Sequence, residues 1–268
     1  MTELSYKEKV MRAFSKATNS YDTFAGLQRD VALKTVGLID ATPKRILDIG
    51  CGTGNVTKEL LKLYPDADVF AVDLSHSMVG ATRQATKECD GFITADLEAL
   101  PFADKTFDTI VSSLTYQWTK DLSLAMAEAF RVLSPDGTFV FSTLGPNTFK
   151  ELNKIRADIL KTTGRNGLSP SIEFASSDIL SKAIKAAGFE IEALRAQEVR
   201  REYKDLFALL KTLKGIGALN PTTPEDKTLA QGTLLREISD NYSERFSTED
   251  GQQVYATYDL LYFSLKKK

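Results

Sequence analysis

Histidine is almost missing from this chain of 268 residues: His76 is the only one. Neither a histidine-rich metal site nor a nucleophile–histidine triad can form unless His76 itself takes part, and its setting reads as a surface loop. Cysteine occurs twice, at Cys51 and Cys89, so no disulfide framework is implied. No apolar run approaches the ~20 residues of a membrane helix. The stretch from Met1 to Phe14 carries charges throughout and has no apolar signal core. Charge of one sign is also lacking. The formal net charge is −2, which gives no global pull toward nucleic acid or an anionic membrane. These absences lead to the expectation of a cytoplasmic protein with no metal, no nucleic-acid partner and no membrane contact.

What remains is an ordinary globular balance, 43% hydrophobic and 26% charged. That suits one sizeable core. Helical periodicity runs from Tyr6 to about Asp40 and stops at Pro43. The pattern then alternates. Strands are expected at Arg45–Ile49, Asp68–Asp73, Gly91–Ala95 and Phe107–Ser112. Helices are expected at Val56–Leu63, Ser77–Lys87 and Asp121–Leu133. Pro135-Asp136-Gly137 reads as a turn before a fifth strand ending at Thr143. Such alternation predicts a doubly wound α/β sheet. Beyond it, helices are expected at Phe149–Lys161, Ser177–Ala187 and Lys204–Lys214, and late strands at Phe189–Ala196 and Val254–Leu265. The organisation expected is a single domain over 1–268: a helical lid (1–42), a cofactor-binding core (43–145), and late strands with a helical insertion (146–268).

The densest signal is Leu47-Asp48-Ile49-Gly50-Cys51-Gly52-Thr53-Gly54, a glycine turn between a strand and a helix. Glycines allow a tight turn and close approach of a ligand to the backbone. Nucleotide sites of several kinds use such a turn, but Asp48 would repel a pyrophosphate. It suits an ammonium instead, as on S-adenosylmethionine (SAM), which has an α-amino group and no phosphate. Asp73, ending the second strand, stands where an acid takes ribose hydroxyls. Asp96, after the third strand, can accept from an adenine amine, with Leu74 and Leu97 on the ring faces. Taken singly, Asp73 also suits a helix cap beside Ser75 and Ser77, and Asp96 a plain loop acid. In this order along one sheet edge they point to SAM. Cys51 reads as a small packing residue within the turn.

From Arg45 to Thr143 the chain resembles the class I SAM-dependent methyltransferases. The matches are Asp48–Gly54 with their glycine motif, Asp73 with their ribose acid, Asp96-Leu97 with their adenine pair, Phe107-Asp108 through Ser113 with their fourth-strand segment, and Leu133–Gly137 with the turn that follows. The resemblance implies a mostly parallel seven-stranded sheet. It implies cofactor contacts at Asp48, Gly50, Cys51, Gly52, Gly54, Asp73, Leu74, Asp96, Leu97 and Ser113.

Four further patterns resemble the malonyl-[acyl-carrier protein] O-methyltransferase (BioC) family of biotin synthesis. They are Phe14 through Tyr21-Asp22 with Leu27-Gln28-Arg29, Gln117-Trp118, Leu213-Lys214-Gly215-Ile216-Gly217-Ala218, and Ala256-Thr257-Tyr258. The stretch from Lys161 to Ser176 is least similar. This likeness implies methylation of the free carboxylate of a malonyl thioester on acyl carrier protein. Such a carboxylate is already ionised, so no general base is required. Tyr21, Gln117 and Trp118 are then expected to position reactants, with Tyr116 helping to close the pocket. Arg29, Arg165, Arg200 and Arg201 are the candidates to hold the carboxylate. Basic residues of Lys150–Arg165 and Arg200–Lys214, including Lys211 and Lys214, are candidates to meet an acidic carrier. Rival readings are a methyltransferase of another small acid such as aconitate, a methyltransferase-like factor acting on a protein, and a nicotinamide oxidoreductase. Against the last, Gly50-x-Gly52-x-Gly54 departs from the dinucleotide spacing.

Overall fold

The computed structural model describes residues 4–163, 173–218 and 232–268. Two helices, α1 (Tyr6–Phe24) and α2 (Gly26–Val36), precede the sheet. α1 opens on a reciprocal cap: Glu8 N–H donates to the Ser5 hydroxyl, and Ser5 N–H donates to the Glu8 carboxylate. The alternating core follows as β1 (Arg45–Ile49), α3 (Asn55–Leu63), β2 (Asp68–Asp73), α4 (His76–Ala85), β3 (Gly91–Thr94), β4 (Phe107–Ser113), α5 (Leu122–Val132) and β5 (Leu133–Leu144). After it come α6 (Lys150–Thr163), α7 (Ser177–Ala186), β6 (Glu190–Tyr203), α8 (Leu206–Gly215), α9 (Gly232–Arg245) and β7 (Val254–Lys266).

The strands form one seven-stranded sheet in the order β3-β2-β1-β4-β5-β7-β6. Pairings among β1 to β5 are parallel, and β7 runs antiparallel to both β5 and β6. The order reverses between β1 and β4, so the crevice for a ligand opens at the carboxyl ends of those strands. The expected α/β class is therefore met. One sheet face packs on α5 and α7 through Met126, Ala129, Leu180 and Ile184. The other packs on α2 and α3 through Ala32, Val36, Val56 and Leu60. No helix among the described residues is long and apolar enough to cross a membrane.

Two expectations need correction. Pro135-Asp136-Gly137 is not a separate turn, because β5 begins at Leu133 and carries the segment as an irregularity. Its register against β4 jumps from Phe107↔Leu133 to Thr109↔Thr138. Asp136 takes a positive φ of 57° there, and a Cβ on Gly137 would lie 2.6 Å from Leu133 Cγ. β6 also runs past Ala196 to Tyr203. Its far half, Gln197–Tyr203, pairs with Val254–Leu260 of β7. Only Leu260 of that β7 stretch also pairs with β5, so the two strands project beyond the sheet as a ribbon. Around the ribbon a third cluster gathers α2, α6, α8 and α9 through Val31, Ile155, Leu209, Tyr242 and Tyr258.

Candidate active site

Backbone geometry explains the glycine turn. Gly50, Gly52 and Gly54 all have positive φ, at 77°, 55° and 91°. Gly50 and Cys51 N–H both donate to Val72 O, at 2.7 and 3.0 Å, which folds the turn against the end of β2. Gly52 N–H donates to Asp73 Oδ2 at 3.0 Å, and Ser75 N–H to Asp73 Oδ1 at 2.8 Å. Each carboxylate oxygen keeps a further lone pair for a ligand. Burial raises the Asp73 carboxyl above its ordinary value, while the two backbone donors pull it back.

A cavity of about 750 Å³, including its open mouth, lies over this turn. It is lined by seven of the residues expected there: Gly50, Gly52, Asp73, Leu74, Asp96, Leu97 and Ser113, together with Tyr21 and Trp118. Cys51 and Gly54 stand behind the wall. Cys51 is buried among Val56, Ala71 and Cys89. Asp48 is also placed differently from expectation. Its carboxyl lies beneath the turn, where Oδ2 accepts from Thr57 Oγ1 at 2.6 Å. Oδ1 is buried with no hydrogen-bond partner among the described residues. Burial pushes this carboxyl up to about 7. An orphaned acid oxygen under the turn, with Asp73 on the wall, makes the neighbourhood suit a cation and reject a phosphate.

The raised Asp48 carboxyl carries a pH signature. Folding favours its protonated form, so its stabilising contribution is full below about pH 4 and is lost as pH rises through 7. Asp48→Asn is expected to raise Tm at pH 8 by several degrees, by roughly a third as much at pH 5, and hardly at all at pH 3. A gain of equal size at all three pH values in thermal melts would refute this.

α1 covers the cavity. Lys7 pairs with Asp96, and with Glu98 at 2.6 Å. Ser15 Oγ meets Ser75 Oγ at 2.8 Å, and Thr53 Oγ1 donates to Asp22 Oδ1 at 2.6 Å. The Phe14 and Trp118 rings meet edge to face at 5.3 Å. On its other side α1 touches the end of α8, where Ser20 Oγ donates to Gly215 O at 2.9 Å. The glycines of that segment have a steric reason. A Cβ on Gly215 would lie 2.2 Å from the Phe24 ring, and one on Gly217 3.0 Å from Ala13 O.

A second cavity of about 500 Å³, its open mouth included, adjoins the first. Phe14, Tyr21, Leu114 and Trp118 line both. The remaining wall comes from Leu27 and Gln28 of α2, Leu144, Phe149 and Phe174, Leu213 of α8 with Ile216 and Ala218 beyond it, and Tyr258 of β7. Gln117 is also on it, its amide fixed by donation to Leu114 O at 2.7 Å and by accepting from Thr143 Oγ1 at 3.1 Å. Tyr116 does not face either cavity. It is buried against Phe139 and Phe141, at 5.5 and 5.3 Å between ring centres. Burial beside Asp73 and Asp22 raises the Tyr21 phenol, which therefore stays neutral and can donate.

None of the described arginine candidates reaches a cavity wall. Arg29 donates to Asp22 O at 2.7 Å, Arg201 pairs with Asp30, and Arg200 lies 4.6 Å over the Tyr255 ring. Arg165 lies outside the described residues. Sequence reasoning missed Lys7 and Gln28. Gln28 sat within a segment already singled out, and Lys7 carried no signal beyond its place on the lid.

A methyltransferase-domain family model matches residues 47–141. The malonyl-[acyl-carrier protein] O-methyltransferase of Geobacter sulfurreducens is 35% identical over 96% of this chain and 97% of its own length. This chain belongs to the malonyl-[acyl-carrier protein] O-methyltransferase family. The bifunctional biotin biosynthesis protein BioHC of Saccharophagus degradans is 33% identical over 97% of this chain, which spans 47% of that protein. Among solved structures, phosphoethanolamine N-methyltransferase 2 of Haemonchus contortus, in complex with phosphomonomethylethanolamine and S-adenosylhomocysteine, aligns with a TM-score of 0.59 at 16% identity. That match covers 99% of this chain and 60% of the other. This member of the malonyl-[acyl-carrier protein] O-methyltransferase family is an enzyme with the fold of SAM-dependent methyltransferases.

Proposed function

We propose that the protein transfers a methyl group from SAM to the free carboxylate of a malonyl thioester borne on acyl carrier protein, giving the methyl ester that enters biotin (pimeloyl) synthesis. The observation that carries this reading is the joined pair of cavities. One is lined by acids at the sheet's switch point, the other is apolar, and they meet at Tyr21 and Trp118. Bound SAM would supply an electrophilic methyl on a positive sulfur. Asp73 would take the ribose hydroxyls and Leu74 and Leu97 the adenine faces. Asp96 would take the adenine amine, in competition with Lys7. Gly50 and Gly52 would let the backbone approach the methionyl part, with Asp48 beneath it favouring the ammonium. The substrate carboxylate needs no deprotonation. Tyr21 would donate a hydrogen bond rather than act as a base. Gln117 would hold the loop that places Trp118, and Phe14 and Trp118 would exclude water. Catalysis would rest on proximity and desolvation. Residues 1–42 would act as the lid, 43–145 as the SAM core and 146–268 as the acyl-side wall.

The test is methyl transfer followed by mass spectrometry, with malonyl-acyl carrier protein, malonyl-CoA and free aconitate in parallel. A base-labile ester on the carrier substrate is expected. Product only on aconitate would assign another small acid, and no product on any acid would overturn the reading. For docking, Lys211 and Lys214 lie exposed on α8, whose Leu213 walls the second cavity. Reversing both charges should raise KM for the carrier substrate by roughly 3- to 30-fold and leave malonyl-CoA unchanged. Equal loss on both substrates would remove docking from this face.

A further inference from the structure

Lys7 stands in the first turn of α1, and its amine is shared between two acids. It pairs with Asp96 and, at 2.6 Å, with Glu98, and all three residues line the first cavity. The two acids differ in setting. Glu98 is buried, and its Oε1 accepts from Lys120 N–H at 2.6 Å and from Asp121 N–H at 3.1 Å, which fixes the loop after Trp118. Its Oε2 is the oxygen that meets Lys7. Asp96 is more exposed. Its Oδ1 accepts from Glu98 N–H at 2.9 Å, and its Oδ2 meets Lys7. Asp96 is also the acid assigned above to the adenine amine. The lid and the purine therefore draw on one carboxylate.

We infer that Lys7 sets the base specificity of the purine site: it competes with the cofactor's amine for Asp96 and gives way by moving wholly onto Glu98. This rests on the SAM-binding reading above. The structure gives the displaced amine a place to go, because Glu98 Oε2 already holds it, and a buried carboxylate keeps its counter-ion. The lid does not depend on the Asp96 contact. α1 keeps its ties from Ser15 to Ser75, Asp22 to Thr53, Phe14 to Trp118 and Ser20 to Gly215. Adenine gains less from Asp96 than from a bare acid, because the carboxylate exchanges a charged donor for a neutral one. The effect has the opposite sign for a purine that carries oxygen in place of the amine. Hypoxanthine presents an acceptor there, which Lys7 can meet and Asp96 repels. The lid cation thus narrows the preference for adenine that Asp96 alone would set. It also loosens the hold on the demethylated cofactor, whose adenine is the same.

The experiment is a calorimetric titration of the full-length protein with S-adenosylhomocysteine and with S-inosylhomocysteine, its hypoxanthine analogue. Lys7→Met should bind the adenine ligand roughly 2- to 5-fold more tightly and the hypoxanthine ligand more weakly, widening the preference about tenfold. A merely structural part in the lid would move both ligands the same way. Lys7→Arg keeps the charge and should restore the wild-type preference. Glu98→Gln still accepts from Lys120 and Asp121 N–H but removes the second seat for the amine. It should weaken S-adenosylhomocysteine about 3-fold when Lys7 is present and leave affinity unchanged beside Lys7→Met. Unchanged or weaker adenine binding in Lys7→Met, or an equal shift for both ligands, would overturn the inference. An equal effect of Glu98→Gln in both backgrounds would overturn the seat at Glu98. If the wild-type protein binds neither SAM nor S-adenosylhomocysteine, the cofactor reading itself fails. If it binds them with a preference indifferent to Lys7, only this inference fails.

Discussion

Gly52→Ala is expected to leave the protein folded but impaired in binding SAM. An added Cβ at Gly52 meets no atom within 4 Å, so the space it enters is open, at the wall of the first cavity. The fold would bear only the cost of φ = 55°, about 1–2 kcal/mol. A ligand pressed against that wall would meet the methyl group, and overpacking of about 1–3 kcal/mol corresponds to a roughly 5- to 150-fold rise in Kd. Gly50→Ala should behave differently. Its Cβ would lie 2.1 Å from Thr115 Oγ1 and 2.4 Å from Thr115 Cγ2, at φ = 77°. Strain and overlap together should cost about 3 kcal/mol or more of stability. Denaturant melts and SAM titrations on the two variants separate the effects. If Gly52→Ala binds SAM as the wild type does, the turn does not touch the cofactor as proposed.

Phe141→Ala should be the more damaging change for the fold. Phe141 is fully buried in β5 and stacks on Phe263 of β7 at 4.8 Å and 3° between ring planes. It also contacts Phe139 at 5.1 Å and Tyr116 at 5.3 Å. Truncating a ring in so filled a place costs about 3–5 kcal/mol. For a chain of this size that lowers Tm by roughly 6–20 °C. A loss below about 1 kcal/mol in urea unfolding would mean that β7 repacks onto β5 without the stack.

The legible parts of this molecule are those whose signal is local. β1, β2 and β4 are short apolar runs next to glycines or acids, and the turn at Gly50–Gly54 states its own geometry. The acids at Asp73 and Asp96 follow from strand ends. What escaped sequence reading depends on distant pairings. The second cavity draws on Leu27, Leu144, Phe149, Leu213 and Tyr258, which no spacing brings together. The far half of β6 was hidden because an edge strand can carry charges such as Glu198, Arg200 and Arg201, which blunt further pairing. Tyr116 is expected from the sequence to help close the pocket, but the single 3₁₀ turn Tyr116–Trp118 sends its ring into the core and its neighbour Trp118 to the cavities. α9 had a readable stripe, Leu235, Ile238 and Tyr242, diluted by Ser239, Asp240 and Asn241 between them.

The place of β7 has a consequence for how the chain comes to be folded. It is the last strand in chain order, yet it lies between β5 and β6. On the ribosome both neighbours are made before the strand that joins them. Until β7 emerges, β5 offers an open edge and β6 has no partner at all, since its pairings in the finished sheet are to β7. Such edges invite pairing with other chains. The nascent protein therefore passes through a vulnerable interval that ends in one step, when a single late strand slides into a waiting slot. Slowed translation of the last stretch, or loss of β7, should show itself as aggregation before any defect in catalysis.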